Sequence, residues 1–119
     1  MVIKDKNAGI FKMKIEIGEH FAANKEDLWI ELREPNTEEA MQLSKSAQQD
    51  SDKIDQSKVF EIIPHCIIDH NFESAENKKM GVPDVWKMIK DRTVCAIEVA
   101  EQWGNNIPLA KKRAETLQE

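Results

Sequence analysis

Apolar and polar residues alternate in two stretches near the start of the chain. Every second residue is apolar across residues 11–17, and the same pattern returns across residues 28–32. A period of two is typical of a strand with one buried face. Residues 18–27 form a long but feasible hairpin connection, so the pattern predicts an antiparallel strand pair. Because two strands alone are marginal in water, other elements must cover their apolar face.

The pattern changes after the second strand. Pro35 closes that strand, and Asn36 lies three residues before Glu39, which is the spacing of a helix capping box. Apolar residues then recur at helical spacing, and the acidic residues at the start suit the helix dipole. The sequence predicts a helix over residues 37–49. A polar, acidic stretch follows over residues 48–57, and it is predicted to be an exposed linker.

The most apolar part of the chain is residues 59–68. Its length and composition fit either a buried helix or a buried strand, and periodicity alone does not separate the two. Three apolar residues fall at helical spacing: Val59, Ile63 and Ile67. Our prediction is a helix with a kink at Pro64, because proline removes a donor and clashes with the preceding turn.

In the last third of the chain, the spacing of apolar residues predicts one long helix over residues 83–103, with Pro83 as its first residue and Gly104 as its terminator. Trp86 and Trp103 share one face of that helix, and a last short helix opens at Pro108. The predicted fold class is therefore α+β and mainly helical, with an N-terminal antiparallel strand pair followed by three to four helices.

Length and composition set the context for these elements. The 119 residues fit a single domain, 1–119, whose ends at 1–9 and 110–119 are expected to be frayed or mobile. We expect a cytoplasmic protein, since the chain shows neither a secretory signal nor an apolar run long enough for a membrane span. Its two cysteines are expected to be free thiols. The net charge of −5 argues against nucleic-acid binding, and the basic cluster at 111–113 is expected to be solvated.

One segment carries residue types that could perform chemistry, namely His65, Cys66, Asp69 and His70. A closed zinc site needs four converging ligands, and a single helix does not aim all four at one point. Cys66 is expected to be a small buried residue, with Asp69 and His70 ending the helix. The four glycines are far apart, so no phosphate-binding loop is predicted. We therefore expect no enzyme activity, no metal and no cofactor.

The candidate interaction residues are Trp29, Arg33, Met80 and Met88. Trp29 lies on the polar side of its strand, where a tryptophan is either packed under a loop or held at an interface. The flexible side chains of Met80 and Met88, near a loop and a helix flank, suit adaptable binding. For Met88 taken alone, as for Met13 and Met41, core packing is the better explanation. Exposed strand edges offer further pairing sites. These features predict that the protein binds a long helical partner or itself.

Two stretches carry a resemblance to a known family. Residues 29–35 read Trp-Ile-Glu-Leu-Arg-Glu-Pro and lead into the acidic start of a helix, and residues 59–72 are an apolar stretch with a central proline that ends in Asp-His-Asn-Phe. Together with the order of residues 101–109, they resemble the small tail assembly chaperones of long-tailed bacteriophages. The resemblance covers residues 10 to 110, and the polar insert at 48–57 departs from the family pattern.

The resemblance implies a function that composition and spacing alone do not. Proteins of that family coat the tape-measure protein, keep it soluble and help to recruit tail tube subunits. By resemblance, the expected partners are the tape-measure protein and the tail tube protein, and the source is a prophage in a bacterial host. The alternative is a small cytosolic adaptor for protein–protein interaction, of unrelated function. A tape-measure gene immediately downstream would favour the chaperone.

Overall fold

A computed structural model describes residues 8–49 and 56–107 of the chain. It confirms the α+β class, in which two N-terminal strands precede the four α-helices of the described residues. A third strand, which the sequence did not predict, lies between the second and third helices. The elements in chain order are β1 (Lys12–Glu16), β2 (Trp29–Arg33), α1 (Thr37–Gln49), α2 (Gln56–Cys66), β3 (Ile67–His70), α3 (Val82–Lys90) and α4 (Thr93–Asn106).

The two alternating stretches form the predicted antiparallel pair. Ile15 of β1 lies opposite Ile30 of β2, and Met13 lies opposite Leu32. These side chains point to one face of the sheet, where Ile15, Ile30 and Leu32 are buried. The strand register therefore follows directly from the alternation of apolar and polar residues. The connection between the strands contains two short 3₁₀ helices, Gly18–Phe21 and Lys25–Asp27.

The prediction of one helix across residues 59–68 is correct only as far as Cys66. The chain then becomes β3, which pairs antiparallel with the free edge of β2. Ile30 lies opposite His70, and the pairing shifts by one residue between Glu31 and Leu32. Asp69 and His70 thus belong to a strand and do not end a helix. The apolar run fitted either a helix or a strand, and pairing with β2 makes its last part a strand. Ile67 and Ile68 are β-branched residues, which suit a strand.

The prediction of one long helix over residues 83–103 is wrong, because the chain breaks it at Arg92. The backbone of Arg92 is extended, with φ −113° and ψ 94°. Its guanidinium donates to the carbonyls of His20 (3.1 Å) and Met88 (3.0 Å) and lies over the ring of Phe21 at 4.1 Å. The break separates α3 from α4. Gly104 does not end α4, which continues to Asn106.

The helices pack on the apolar face of the sheet and build one core with it. Trp86 of α3 and Trp103 of α4 are both buried in this core. They belong to two separate helices, and not to one face of a single helix as predicted. The core also holds the thiols of Cys66 and Cys95. The molecule thus has two layers, a sheet and a layer of helices, and the face of the sheet opposite the helices carries polar residues.

Several expectations fall outside the described residues. They are the frayed ends, the short helix at Pro108, the basic cluster at 111–113 and most of the polar linker at 48–57. By contrast, the prediction for α1 is confirmed at both ends, Thr37 and Gln49. Across the described ranges, none of the helices has the length and apolar character that a membrane crossing requires.

Candidate interaction surface

One face of the sheet lies away from the buried core and carries polar side chains. We define the open sheet face by five outward side chains, which are Lys14 and Glu16 of β1 and Trp29, Glu31 and Arg33 of β2. The two residues from β1 are exposed, and the three from β2 are half-buried. The face thus combines one large aromatic ring with charges of both signs.

Trp29 is held in place on this face by its neighbours. The ammonium group of Lys14 lies 4.1 Å from the centre of the indole ring, which is the geometry of a cation–π contact. The backbone N–H of Trp29 donates to the Asn71 side-chain oxygen at 2.9 Å, and the Asn71 N–H donates to the Trp29 carbonyl at 3.4 Å. The strand position and the ring are therefore held by contacts within the molecule.

Arg33 lies four residues further along the same face, but its guanidinium is committed within the molecule. It donates to the Glu39 carboxylate at 2.8 and 3.4 Å, to the Glu34 carbonyl at 3.0 Å and to the His65 carbonyl at 3.0 Å. These bonds tie the end of β2 to the start of α1 and the end of α2. Arg33 therefore holds three elements together, and its donors face those partners and not the solvent.

The carboxylate of Glu39 completes the predicted capping box. The Asn36 N–H donates to Glu39 Oε1, and the Glu39 N–H donates to Asn36 Oδ1, each at 2.8 Å. Burial alone would raise the pKa of Glu39, but the hydrogen bonds from Arg33 and Asn36 outweigh it and hold the pKa below the ordinary 4.5. The charged form of Glu39 is thus the one that the fold stabilises.

A pH-dependent loss of stability follows from this lowered pKa. Because the carboxylate pKa is lower in the folded than in the unfolded state, its contribution is present above about pH 4.5 and is lost as the pH falls through the folded value. Glu39→Gln is expected to cost about 1–2 kcal/mol near neutral pH and to flatten the acid limb of stability. Urea denaturation from pH 7 to pH 3 measures both effects.

The matched control is Glu38→Gln, which changes the adjacent and exposed carboxylate of the same helical turn. It is expected to leave the acid limb as it is in the unmodified protein. Parallel acid limbs for Glu39→Gln and the unmodified protein would contradict the assignment of this contribution to Glu39.

The two methionines of the candidate set lie elsewhere. Met80 follows β3, where its N–H donates to the Phe72 carbonyl at 3.1 Å, and Met88 belongs to α3. Both side chains are half-buried and pack against the hydrophobic core. The structure therefore brings Trp29 and Arg33 onto one face and leaves Met80 and Met88 as packing residues at the border of the core.

The segment that carries histidine, cysteine and aspartate is dispersed by the turn from α2 into β3. His65 is exposed, while Cys66 is fully buried and its Sγ lies 3.8 Å from Glu39 Oε1. Asp69 pairs with Lys79 at 2.6 Å on the surface. His70 is buried, and its Nδ1 accepts a hydrogen bond from the Phe72 N–H at 3.1 Å. Each side chain thus has a separate environment.

The electrostatics of this segment do not favour an activated thiol. Burial, together with the nearby Glu39 charge, raises the pKa of Cys66 to about 12. Burial also lowers the pKa of His70, so this imidazole is neutral over most of the physiological range. In the ranges 8–49 and 56–107, no three His, Cys, Asp or Glu side chains gather in a way that would hold a metal ion.

A polar cluster that sequence reasoning missed joins the β1–β2 connection to α4. The His20 imidazole contacts the Glu98 carboxylate, which also accepts a hydrogen bond from Gln102 at 2.9 Å. Arg92 bonds to the His20 carbonyl from the helix break. No local spacing signals this cluster, because His20 and Glu98 are 78 residues apart. It fastens the connection to the helix layer.

Comparison with protein-family models, with curated proteins and with solved structures found no match. The class that the fold itself defines is a small α+β protein with a helix layer on one face of a three-stranded sheet. Its other face carries a tryptophan, held by contacts within the molecule, among charged side chains.

Proposed function

We propose that this protein is a non-enzymatic tail assembly chaperone of a long-tailed bacteriophage, in a prophage copy that acts in the cytoplasm of a bacterial host. It binds the tape-measure protein, keeps it soluble and assists assembly of the tail tube. The observation that carries the proposal is the open sheet face, where Trp29 is presented on a strand that is already ordered by Lys14 and Asn71.

The structural roles of the two resembling stretches support the proposal. In the first, β2 ends at Arg33, and the bond from Arg33 to Glu39 fixes how the chain enters α1. In the second, the Asp-His-Asn-Phe ending covers the end of β3 and the two residues after it, where His70 accepts a hydrogen bond from the Phe72 N–H. Residues that determine how one element leads into the next are those that proteins of one fold would share.

The chemistry of the described residues agrees with a binding role. The thiols of Cys66 and Cys95 are the strongest nucleophiles in these ranges, and both are fully buried. Burial raises the pKa of Cys95 to about 11, so neither thiol is available as a thiolate near neutral pH. The open sheet face, by contrast, offers aromatic and charged side chains for non-covalent contacts.

The face suits a long amphipathic partner. Apolar side chains of a helix can pack on the indole of Trp29, while Lys14 and Glu31 flank the ring and can pair with charges on either side of the apolar stripe. Repeated binding of small acidic copies along such a helix would cover its apolar surface and add negative charge, and both effects favour solubility.

Co-expression with the tape-measure protein encoded next to this gene tests the proposal. The tape-measure protein is expected to be insoluble alone and soluble in a complex with the chaperone. Trp29→Ala is expected to weaken the complex by about 2 kcal/mol or more, because aromatic residues dominate such interfaces. The soluble fraction and the affinity of the purified complex are the measurements.

The matched control is Val94→Ala, which trims a 70% exposed apolar side chain away from the open sheet face. It is expected to leave the soluble fraction unchanged. Thermal melting of Trp29→Ala shows whether the fold survives, and a collapse of the melting temperature would place Trp29 in the core and the interface elsewhere. A tape-measure protein that stays insoluble, with no complex formed, would overturn the proposal in favour of an unrelated adaptor.

A further inference from the structure

Within the described residues, β1 is an edge strand whose only strand partner is β2. The Ile17 N–H donates to the Leu28 carbonyl, and the Glu34 N–H donates to the Phe11 carbonyl, each at 2.9 Å. In an antiparallel ladder, hydrogen-bonding residues alternate along a strand. Odd-numbered residues of β1 therefore bond to β2, and the backbone groups of Lys14 and Glu16 point away from the sheet.

We propose that two copies of this chain pair through β1, antiparallel, with the two-fold axis at Ile15. The backbone groups of Lys14 then bond to those of Glu16 in the second copy, and the reverse pair forms on the other side of the axis. The two three-stranded sheets become one six-stranded sheet, and both helix layers lie on the same side of it.

Charge favours this register among those that the backbone allows. Directly opposed side chains on one face interact most strongly, and this register sets Lys14 of each copy opposite Glu16 of the other, which gives two attractive pairs. The like-charged Lys14–Lys14 and Glu16–Glu16 neighbours are only diagonal and lie farther apart. Two alternatives are equally near. An axis at Glu16 sets the two Glu16 side chains directly opposite each other, where like charges repel. The other alternative moves the axis to Lys14. It pairs Lys12 with Glu16 but sets the two Lys14 side chains directly opposite each other, where like charges repel. Registers shifted by one residue would set the outward backbone groups of one copy against inward groups of the other.

The apolar side of the same register is also complementary. Ile15 of each copy lies at the axis beside its equivalent, and the half-buried Met13 lies opposite Ile17 of the second copy. Because Ile15 and Ile17 are each only 1% exposed in the single chain, Met13 is the one of these three side chains that has apolar surface left to bury on pairing. The contact is short, because β1 has only five residues, so association is expected to be weak and dependent on concentration.

Sedimentation velocity on the purified protein alone, over about a hundredfold range of concentration, tests the pairing. The unmodified protein is expected to shift from monomer towards dimer. Lys14→Glu and Glu16→Lys each turn both charge pairs repulsive, and each is expected to weaken dimerisation by about tenfold or more. An equimolar mixture of the two variants is expected to form heterodimers, because each of the two cross-strand pairs then joins a carboxylate of one variant to an ammonium group of the other.

The matched controls are Lys90→Glu and Glu101→Lys, which make the same charge changes at exposed positions of α3 and α4. Both are expected to dimerise as the unmodified protein does, and circular dichroism confirms that every variant is folded. A protein that stays monomeric at all concentrations overturns the pairing. Single variants that are not rescued by mixing overturn the register. Since no tape-measure protein is present, either outcome is independent of the proposed chaperone function.

Discussion

Replacing Ile15 by aspartate is expected to lower the free energy of unfolding by at least about 4 kcal/mol, which is a large part of the about 5–15 kcal/mol that ordinarily stabilises a domain. Ile15 is 1% exposed, lies opposite Ile30 and belongs to the core beneath the sheet. A carboxylate at this position would be buried without a partner, or the strand would have to leave the sheet. Urea denaturation or thermal melting gives the loss directly.

The adjacent residue provides the control. Lys14→Asp places the same side chain on the exposed face of the same strand. It removes the contact with Trp29 and sets a carboxylate opposite Glu31 at an exposed position, so its cost is expected to be no more than about 1 kcal/mol. If Ile15→Asp does not fold, Ile15→Val tests the burial of the same position, with an expected loss of about 0.5–1.5 kcal/mol in the free energy of unfolding. Equal melting temperatures for Ile15→Asp and Lys14→Asp would contradict the strand register.

Trp103→Ala is expected to destabilise the protein by about 3–5 kcal/mol, because it removes the largest fully buried side chain. The Trp103 indole N–H also donates to the Arg33 carbonyl at 3.0 Å, which links α4 to the end of β2. The mutation therefore creates a cavity and leaves a carbonyl without its partner. The denaturation midpoint should fall accordingly, with the far-ultraviolet spectrum reporting the remaining helix.

Trp103→Phe separates the two parts of that loss. Phenylalanine keeps much of the ring volume but has no donor for the Arg33 carbonyl, so a loss of about 1–3 kcal/mol is expected. The cavity term is then the difference between the two variants. A Phe variant as unstable as the Ala variant would show that the hydrogen bond, and not the volume, carries the effect, contrary to this account.

The parts of the fold that were predictable are those with local causes. Alternation placed Ile15 and Ile30 on the buried side of two strands, and it also placed Trp29 on the open side. The capping box formed by Asn36 and Glu39 marked the start of α1 correctly, because all of its hydrogen bonds lie within four residues. Periodicity and capping are properties of the chain itself, and they need no knowledge of distant partners.

The parts that escaped prediction depend on distant residues. The strand at Ile67–His70 forms because β2 offers it an edge, and an apolar run alone does not show that edge. The break at Arg92 forms where its guanidinium reaches His20, which lies 72 residues earlier. A helical repeat continued through this position in the sequence, so only the tertiary contact could reveal the interruption.

The candidate site divides in the same way. The outward position of Trp29 followed from the strand pattern, but the commitment of Arg33 to Glu39 and His65 depends on how three elements meet. The separation of the two methionines from the open sheet face likewise depends on where the helices pack. Side-chain type could nominate these residues, whereas only the assembled fold could group them.

The two buried thiols can be used to measure local opening of the structure. A thiol-labelling reagent reacts with a thiolate, and Cys66 and Cys95 are both inaccessible and protonated in the closed structure. The rate of labelling therefore measures how often each region opens. Cys66 marks the junction of α2 and β3, and Cys95 marks the first turn of α4, so one kinetic experiment follows the sheet edge and the helix layer separately.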